Sequence, residues 1–153
     1  MGELSRREFV ITASAAACVC VLCRSDLALG AEKAGPVAVG SLKDFAKDGV
    51  FDKFAKSHGF FMIRREGRLY AATSYCTHKR AAQLVSKATT KELACPKHGS
   101  TFALSGAVIR GPARQSLPRY AITATDQGRL TVDTSKQFEE SKWNDPASYV
   151  AIP

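Results

Sequence analysis

The sequence predicts an all-β domain of short antiparallel strands, and three observations carry that expectation. The chain has 153 residues, which suits one domain with a leader or a tail. Short β-prone apolar runs recur along it, separated by turn signals that contain glycine. No segment shows a sustained 3.6-residue hydrophobic period. Hydrophobic residues make up 45% and charged residues 24%. That balance supports a packed core and excludes collagen-like and disordered chains. No apolar run reaches the roughly 18 residues of a membrane span, which excludes a polytopic membrane protein.

Residues 1–30 read as an export leader. Ser5-Arg6-Arg7-Glu8-Phe9 precedes an alanine-rich apolar run over residues 9–23, and Ala28-Leu29-Gly30 offers small residues for cleavage. The paired arginines resemble the twin-arginine export signal, whose substrates cross the membrane already folded. If retained, residues 9–23 would make only a poor membrane anchor, because fifteen helical residues reach about 22 Å against a bilayer core of about 30 Å. Residues 31–36 form a linker, 37–134 the β domain and 135–153 a polar C-terminal arm with Trp143 as a packing anchor. Val37–Val39 is the first strand. Ser41 caps a helical turn or opens a loop over residues 41–47. Three hairpins follow. Residues 60–64 and 69–73 flank the Gly67 turn, 101–104 and 107–109 flank Ser105-Gly106, and 120–124 and 129–132 flank Asp126-Gln127-Gly128. Leu93-Ala94 is a strand stub between the first two.

The net charge of +8 and the five cysteines redistribute once the leader is set aside. Its three arginines balance three acidic residues, so the charge belongs to the remainder. Cys18, Cys20 and Cys23 go with the leader, leaving Cys76 and Cys95 with His58, His78 and His98. His58 sits in a turn-like Lys-Ser-His-Gly stretch and reads as a surface residue. The other four form two arms, Cys76-Thr77-His78 and Cys95-Pro96-Lys97-His98-Gly99-Ser100, with 16 residues between His78 and Cys95. Two thiolates and two imidazoles can hold zinc. Each arm here is mixed, however, whereas the familiar zinc pattern separates cysteines from histidines. Mixed arms suit a binuclear cluster with cysteines on one iron and histidines on the other.

On these residues the chain resembles the Rieske iron–sulfur family over roughly residues 36–132. Cys76-Thr77-His78 matches the first cluster box and Cys95 to Ser100 the second. Gly111-Pro112-Ala113 with Leu117-Pro118-Arg119-Tyr120 is similar to the family's proline loop and the strand after it. The resemblance implies a Rieske-type antiparallel β-sandwich with a small cluster-binding subdomain. It also implies a [2Fe–2S] cluster, with Cys76 and Cys95 on one iron and His78 and His98 on the other. Histidine ligation leaves the oxidised cluster neutral, so an electron is added at higher potential than to a four-thiolate cluster.

The chain departs from high-potential members of the family. Their extra loop cysteines, joined by a disulfide, correspond to Ala81 and Lys97, so that bridge is impossible. Ser100 matches the serine that bonds a cluster sulfide, while Phe102 stands where a second donor, a tyrosine, is usual. One donor kept and one lost imply an intermediate potential. Pro112 is expected to cover the cluster. Lys79 replaces an apolar residue that faces the quinone pocket in bc complexes. Lys79, Arg80 and Lys97 ring the histidine edge, where they would raise the potential, favour neutral imidazoles and steer an acidic partner.

The expected function is one-electron transfer, as an exported carrier or as the electron-transfer subunit of a bc-type quinol-oxidising complex. The partner would be a cytochrome of b or c type, and the location the periplasm or the outer face of the cytoplasmic membrane. The alternative is the small Rieske subunit of a periplasmic molybdenum enzyme, as in the arsenite oxidase type. A structural zinc module ranks lower. An oxygenase would need a second iron site with two further histidines and a carboxylate, and only His58 is left. No substrate chemistry is expected on this chain alone, and no nucleic-acid partner, since no recognition motif accompanies the charge.

Overall fold

The computed structural model describes residues 34–80 and 82–152. The expected twin-arginine leader over residues 1–30 and Ala81 lie outside them. Eleven strands are described: β1 (Pro36–Ser41), β2 (Gly49–Phe51), β3 (Phe60–Arg65), β4 (Arg68–Thr73), β5 (Val85–Lys87), β6 (Glu92–Ala94), β7 (Thr101–Ala103), β8 (Val108–Arg110), β9 (Arg119–Ala124), β10 (Arg129–Phe138) and β11 (Val150–Ala151). Helical structure among these residues is confined to short turns, including α1 (Ala55–His58). One sheet has the order β1-β10-β9-β4-β3-β2, with β11 added beside β4. A smaller sheet has the order β5-β6-β7-β8. Their ladders are antiparallel. This is the all-β class expected, with the small sheet as its second unit.

The β3–β4 hairpin is the common wall of two cores. Successive strand residues point to opposite faces. Phe60, Met62, Leu69 and Ala71 face one core, with Phe45, Phe54, Tyr120, Ile122, Leu130 and Val132. Phe61, Ile63, Tyr70 and Ala72 face the other, which holds Cys76, Leu84, Leu93, Cys95, Phe102 and Leu117. Burial on both faces explains why these strands read as near-continuous apolar runs rather than alternating ones. Glu66 and Gly67 join them with φ of 54° and 69°. Two positive φ values suit the twist of a two-residue hairpin, and glycine supplies one without steric cost.

The Ser41 segment becomes a 3-10 turn over Leu42–Phe45 that buries Phe45. The Ser41 backbone N–H (2.7 Å) and hydroxyl (3.2 Å) both donate to the Asp44 carboxylate. Those bonds hold Asp44 below the usual carboxylate range.

The stretch from residue 135 is more regular than an irregular arm. β10 continues to Phe138 after a register shift between Asp133 and Gln137. Two 3-10 turns follow, Glu140–Lys142 and Pro146–Ser148, and then β11. The physical reason lies in β4. β9 pairs with β4 only at Ala71 and Ala72, which leaves the backbone of Arg68 and Leu69 to be satisfied. β11 pairs there, Val150 with Leu69 and Ala151 with Arg68. On the way, Trp143 packs against Gly106, where a Cβ would come within 3.1 Å of the indole. β2, β5 and β11, of three residues or fewer, are not among the strands the sequence predicts.

Candidate metal centre

The first site loop leaves β4 and the second leaves β6, and their backbones follow one plan. The Cys76 N–H bonds the Ala82 carbonyl (3.0 Å), and the Cys95 N–H bonds the Ser100 carbonyl (2.7 Å). Four residues after each cysteine, an N–H returns to the cysteine carbonyl: Arg80 to Cys76 (2.8 Å) and Gly99 to Cys95 (3.1 Å). Both returning residues are left-handed, Arg80 at φ 49° and Gly99 at φ 73°. Each loop is thus a closed turn that holds its cysteine at the base and its histidine near the rim.

The four side chains pair by type. Cys76 and Cys95 are free thiols, 2% and 3% exposed. Burial pushes the Cys76 thiol up, assisted by its hydrogen bond to Cys95. Burial pushes Cys95 the same way, but the backbone N–H groups of His98 and Lys97 and the Cys76 thiol outweigh it and bring Cys95 down. The Ser100 hydroxyl also bonds Cys76. Such donors are suited to metal-bound thiolates. His78 and His98 are half-buried, their ring centroids 4.9 Å apart at 86°. His78 Nδ1 is buried without a hydrogen-bond partner. A buried unpaired imidazole nitrogen is costly, and metal ligation would satisfy it. His98 is held below the ordinary imidazole range by burial first, then by the charges of His78, Lys79 and Lys97. The donors meet as one pair of thiols and one pair of imidazoles, and a binuclear cluster takes its ligands two by two. The residues present therefore fit a [2Fe–2S] group.

The proline loop ties the two arms together. Ser100 is wholly buried, and its hydroxyl oxygen accepts the Ala113 N–H (3.1 Å). Thr77 donates its hydroxyl to the Gln115 carbonyl (2.6 Å). Gly111 crosses directly over Ser100, where a Cβ would lie 2.5 Å from the Ser100 Cα, and its φ is +103°. The sequence signalled the loop through Gly111-Pro112, but gave no sign of the ties from Thr77 and Ala113. Pro112 itself is exposed. Phe102 is wholly buried in the site-side core, paired across the sheet with Leu93. Lys79, Arg80 and Lys97 are all exposed. His58 lies apart, its ring near Phe54 and Phe60 and its Nδ1 2.8 Å from the Ser57 hydroxyl.

A family model of the Rieske [2Fe-2S] domain matches residues 35–121. The cytochrome b6-f complex iron-sulfur subunit 2 of Synechocystis sp. is 32% identical over 77 residues, 50% of this chain and 42% of that protein. The chloroplastic cytochrome b6-f complex iron-sulfur subunit of Fritillaria agrestis is 33% identical over 78 residues, 48% of this chain and 34% of that protein. The matched segment thus spans less than half the length of these curated relatives. The plasma membrane Rieske protein PetC3 of Synechocystis has a solved structure that is 27% identical, with a TM-score of 0.47. The match covers 63% of this chain and 98% of that one. The chain belongs to the Rieske [2Fe-2S] family. Its cofactor is a [2Fe–2S] cluster.

Proposed function

We propose that this chain is the exported electron-transfer subunit of a bc-type quinol-oxidising complex, with Cys76 and Cys95 holding one iron and His78 and His98 the other. The observation that carries the ligand set is the pairwise meeting of two buried thiols and two half-buried imidazoles from matching loops. The b6-f subunits among its relatives support the choice of complex. The bound cluster supplies a one-electron redox change at a centre whose histidine side can exchange protons. The chain's own residues do the rest. The thiols sit at the loop bases, away from water, and the histidine edges open toward the rim. Ser100 donates beside Cys76, and Phe102 adds no donor, which favours an intermediate potential. Lys79, Arg80 and Lys97 lie exposed on the two site loops, where they favour an acidic docking partner. Export to the outer face of the cytoplasmic membrane rests on the twin-arginine leader.

Redox-titrated EPR of the exported protein, with iron and sulfide analysis, tests the site. Two irons and two labile sulfides per chain with a rhombic reduced signal are expected, at a potential below disulfide-containing bc-type centres and above dioxygenase ferredoxins. One zinc and no sulfide would sink the reading. Purification from membranes tests the partner. Co-purification of a cytochrome b supports the bc-type complex, and a molybdopterin subunit in its place would move the chain to the molybdenum-enzyme alternative.

A further inference from the structure

Away from the cluster loops, at the turn end of the β3–β4 hairpin, lies a cavity of about 420 Å³ lined by Arg65, Glu66, Arg68, Tyr70, Ser105 and Arg119. Arg119 is only 6% exposed. Its guanidinium lies 3.7 Å from the Tyr70 ring centroid and 4.5 Å from that of Trp143. Its amino groups donate to the Ser105 carbonyl (3.1 Å) and the Trp143 carbonyl (3.5 Å). Its Nε is buried with no partner. No carboxylate within ion-pair reach of Arg119 is found among the described residues. Buried charges are ordinarily paired, so a cation held by rings and carbonyls alone is incomplete. Burial, with repulsion from Arg68 added, holds the Arg119 pKa below its ordinary value.

The surrounding charges do not complete it. Glu66 is the acidic residue of the lining, and its carboxylate is already engaged by Arg65 at 2.7 Å on the exposed turn. Arg68 stacks on Tyr149 and donates to the Asn144 amide oxygen (3.2 Å). Three guanidiniums and one carboxylate thus line a space of ligand size. Planar guanidinium forks match phosphate oxygens in geometry as well as charge.

We infer that this cavity binds a phosphate group, seated against Arg119 and gripped by Arg68 and by the Nη1 end of Arg65, whose Nε and Nη2 hold Glu66. The site lies at the end of β4 remote from Cys76, so a ligand there does not touch the cluster.

The test is equilibrium dialysis of the holoprotein against radiolabelled inorganic phosphate, with chloride holding ionic strength fixed. One saturable site per chain is expected, weakened about tenfold in each of R65Q and R68Q. R119K keeps the charge but loses the fork, and should weaken binding at least as much. Should R119K fail to fold, the two outer variants still decide the matter. Trp143 is the single tryptophan and touches Arg119, so its fluorescence should shift with the same affinity. Competition by phosphatidylglycerol vesicles would identify a lipid headgroup as the phosphate source, and its absence a soluble one. Non-saturable binding, or binding that R65Q and R68Q leave unchanged, overturns the proposal.

Discussion

The two site loops are built to one backbone plan but secured differently. In both, the cysteine N–H bonds across the loop and a left-handed residue returns an N–H to the cysteine carbonyl. The second loop uses Gly99 at that position, which costs little. The first uses Arg80, where a Cβ in the left-handed region costs about 1 kcal/mol. The second loop is locked by buried contacts, with Ser100 under Gly111 and bonded by Ala113. The first is tied by one exposed hydroxyl, Thr77 to Gln115. A single proline loop thus ties both arms. The comparison teaches that the second loop is the rigid half of the site and the first the adjustable half.

Replacing a thiol at the base of either loop should remove the difference altogether. C76A or C95A is expected to abolish the reduced EPR signal and bring iron and labile sulfide close to zero, whichever loop carries the change. Gly111→Ala should break the rigid half alone. Its Cβ would overlap the Ser100 backbone at a φ that alanine resists, at a cost of about 3 kcal/mol in chemical denaturation. Ser100→Ala strands the buried Ala113 N–H and should cost about 2 kcal/mol. It should also lower the reduction potential through loss of the hydroxyl beside Cys76. Thr77→Val, the matching change on the adjustable half, should cost about 1 kcal/mol or less and leave the potential nearly unmoved. The smallest effect belongs to Arg80→Gly, which relieves the left-handed strain and should stabilise the chain by a few tenths of a kcal/mol to about 1. If R80G destabilises instead, the two turns are not equivalent in the way their hydrogen bonds suggest.

The same contrast marks what was legible in the sequence. β3, β4, β9 and β10 showed themselves because sheet burial imposes a pattern on six or more residues, and Gly67 and Gly128 punctuate their turns. The proposed ligand set was legible through residue type, since few chemistries need Cys-x-His and Cys-x-x-His together. β5 and β11 did not show themselves, because each is short and no glycine turn joins it to its partner strand. The ties from Thr77 and Ala113 did not either, because any hydroxyl or backbone N–H could have made them.

By itself, the sequence determined the all-β class, the three central hairpins, the two arms that carry the proposed ligands and the lack of a loop disulfide. These follow from local features: alternation, turn chemistry and the donor atoms of particular side chains. Only the tertiary structure decided which face of the β3–β4 hairpin carries the cysteines. It alone showed that the proline loop ties both arms and that β11 completes β4 where β9 leaves it. It also brought Arg119 to rest between Tyr70 and Trp143 with no carboxylate partner among the described residues. Each of these depends on contacts between residues far apart in the chain, where packing and hydrogen-bond satisfaction, not local preference, choose the partner.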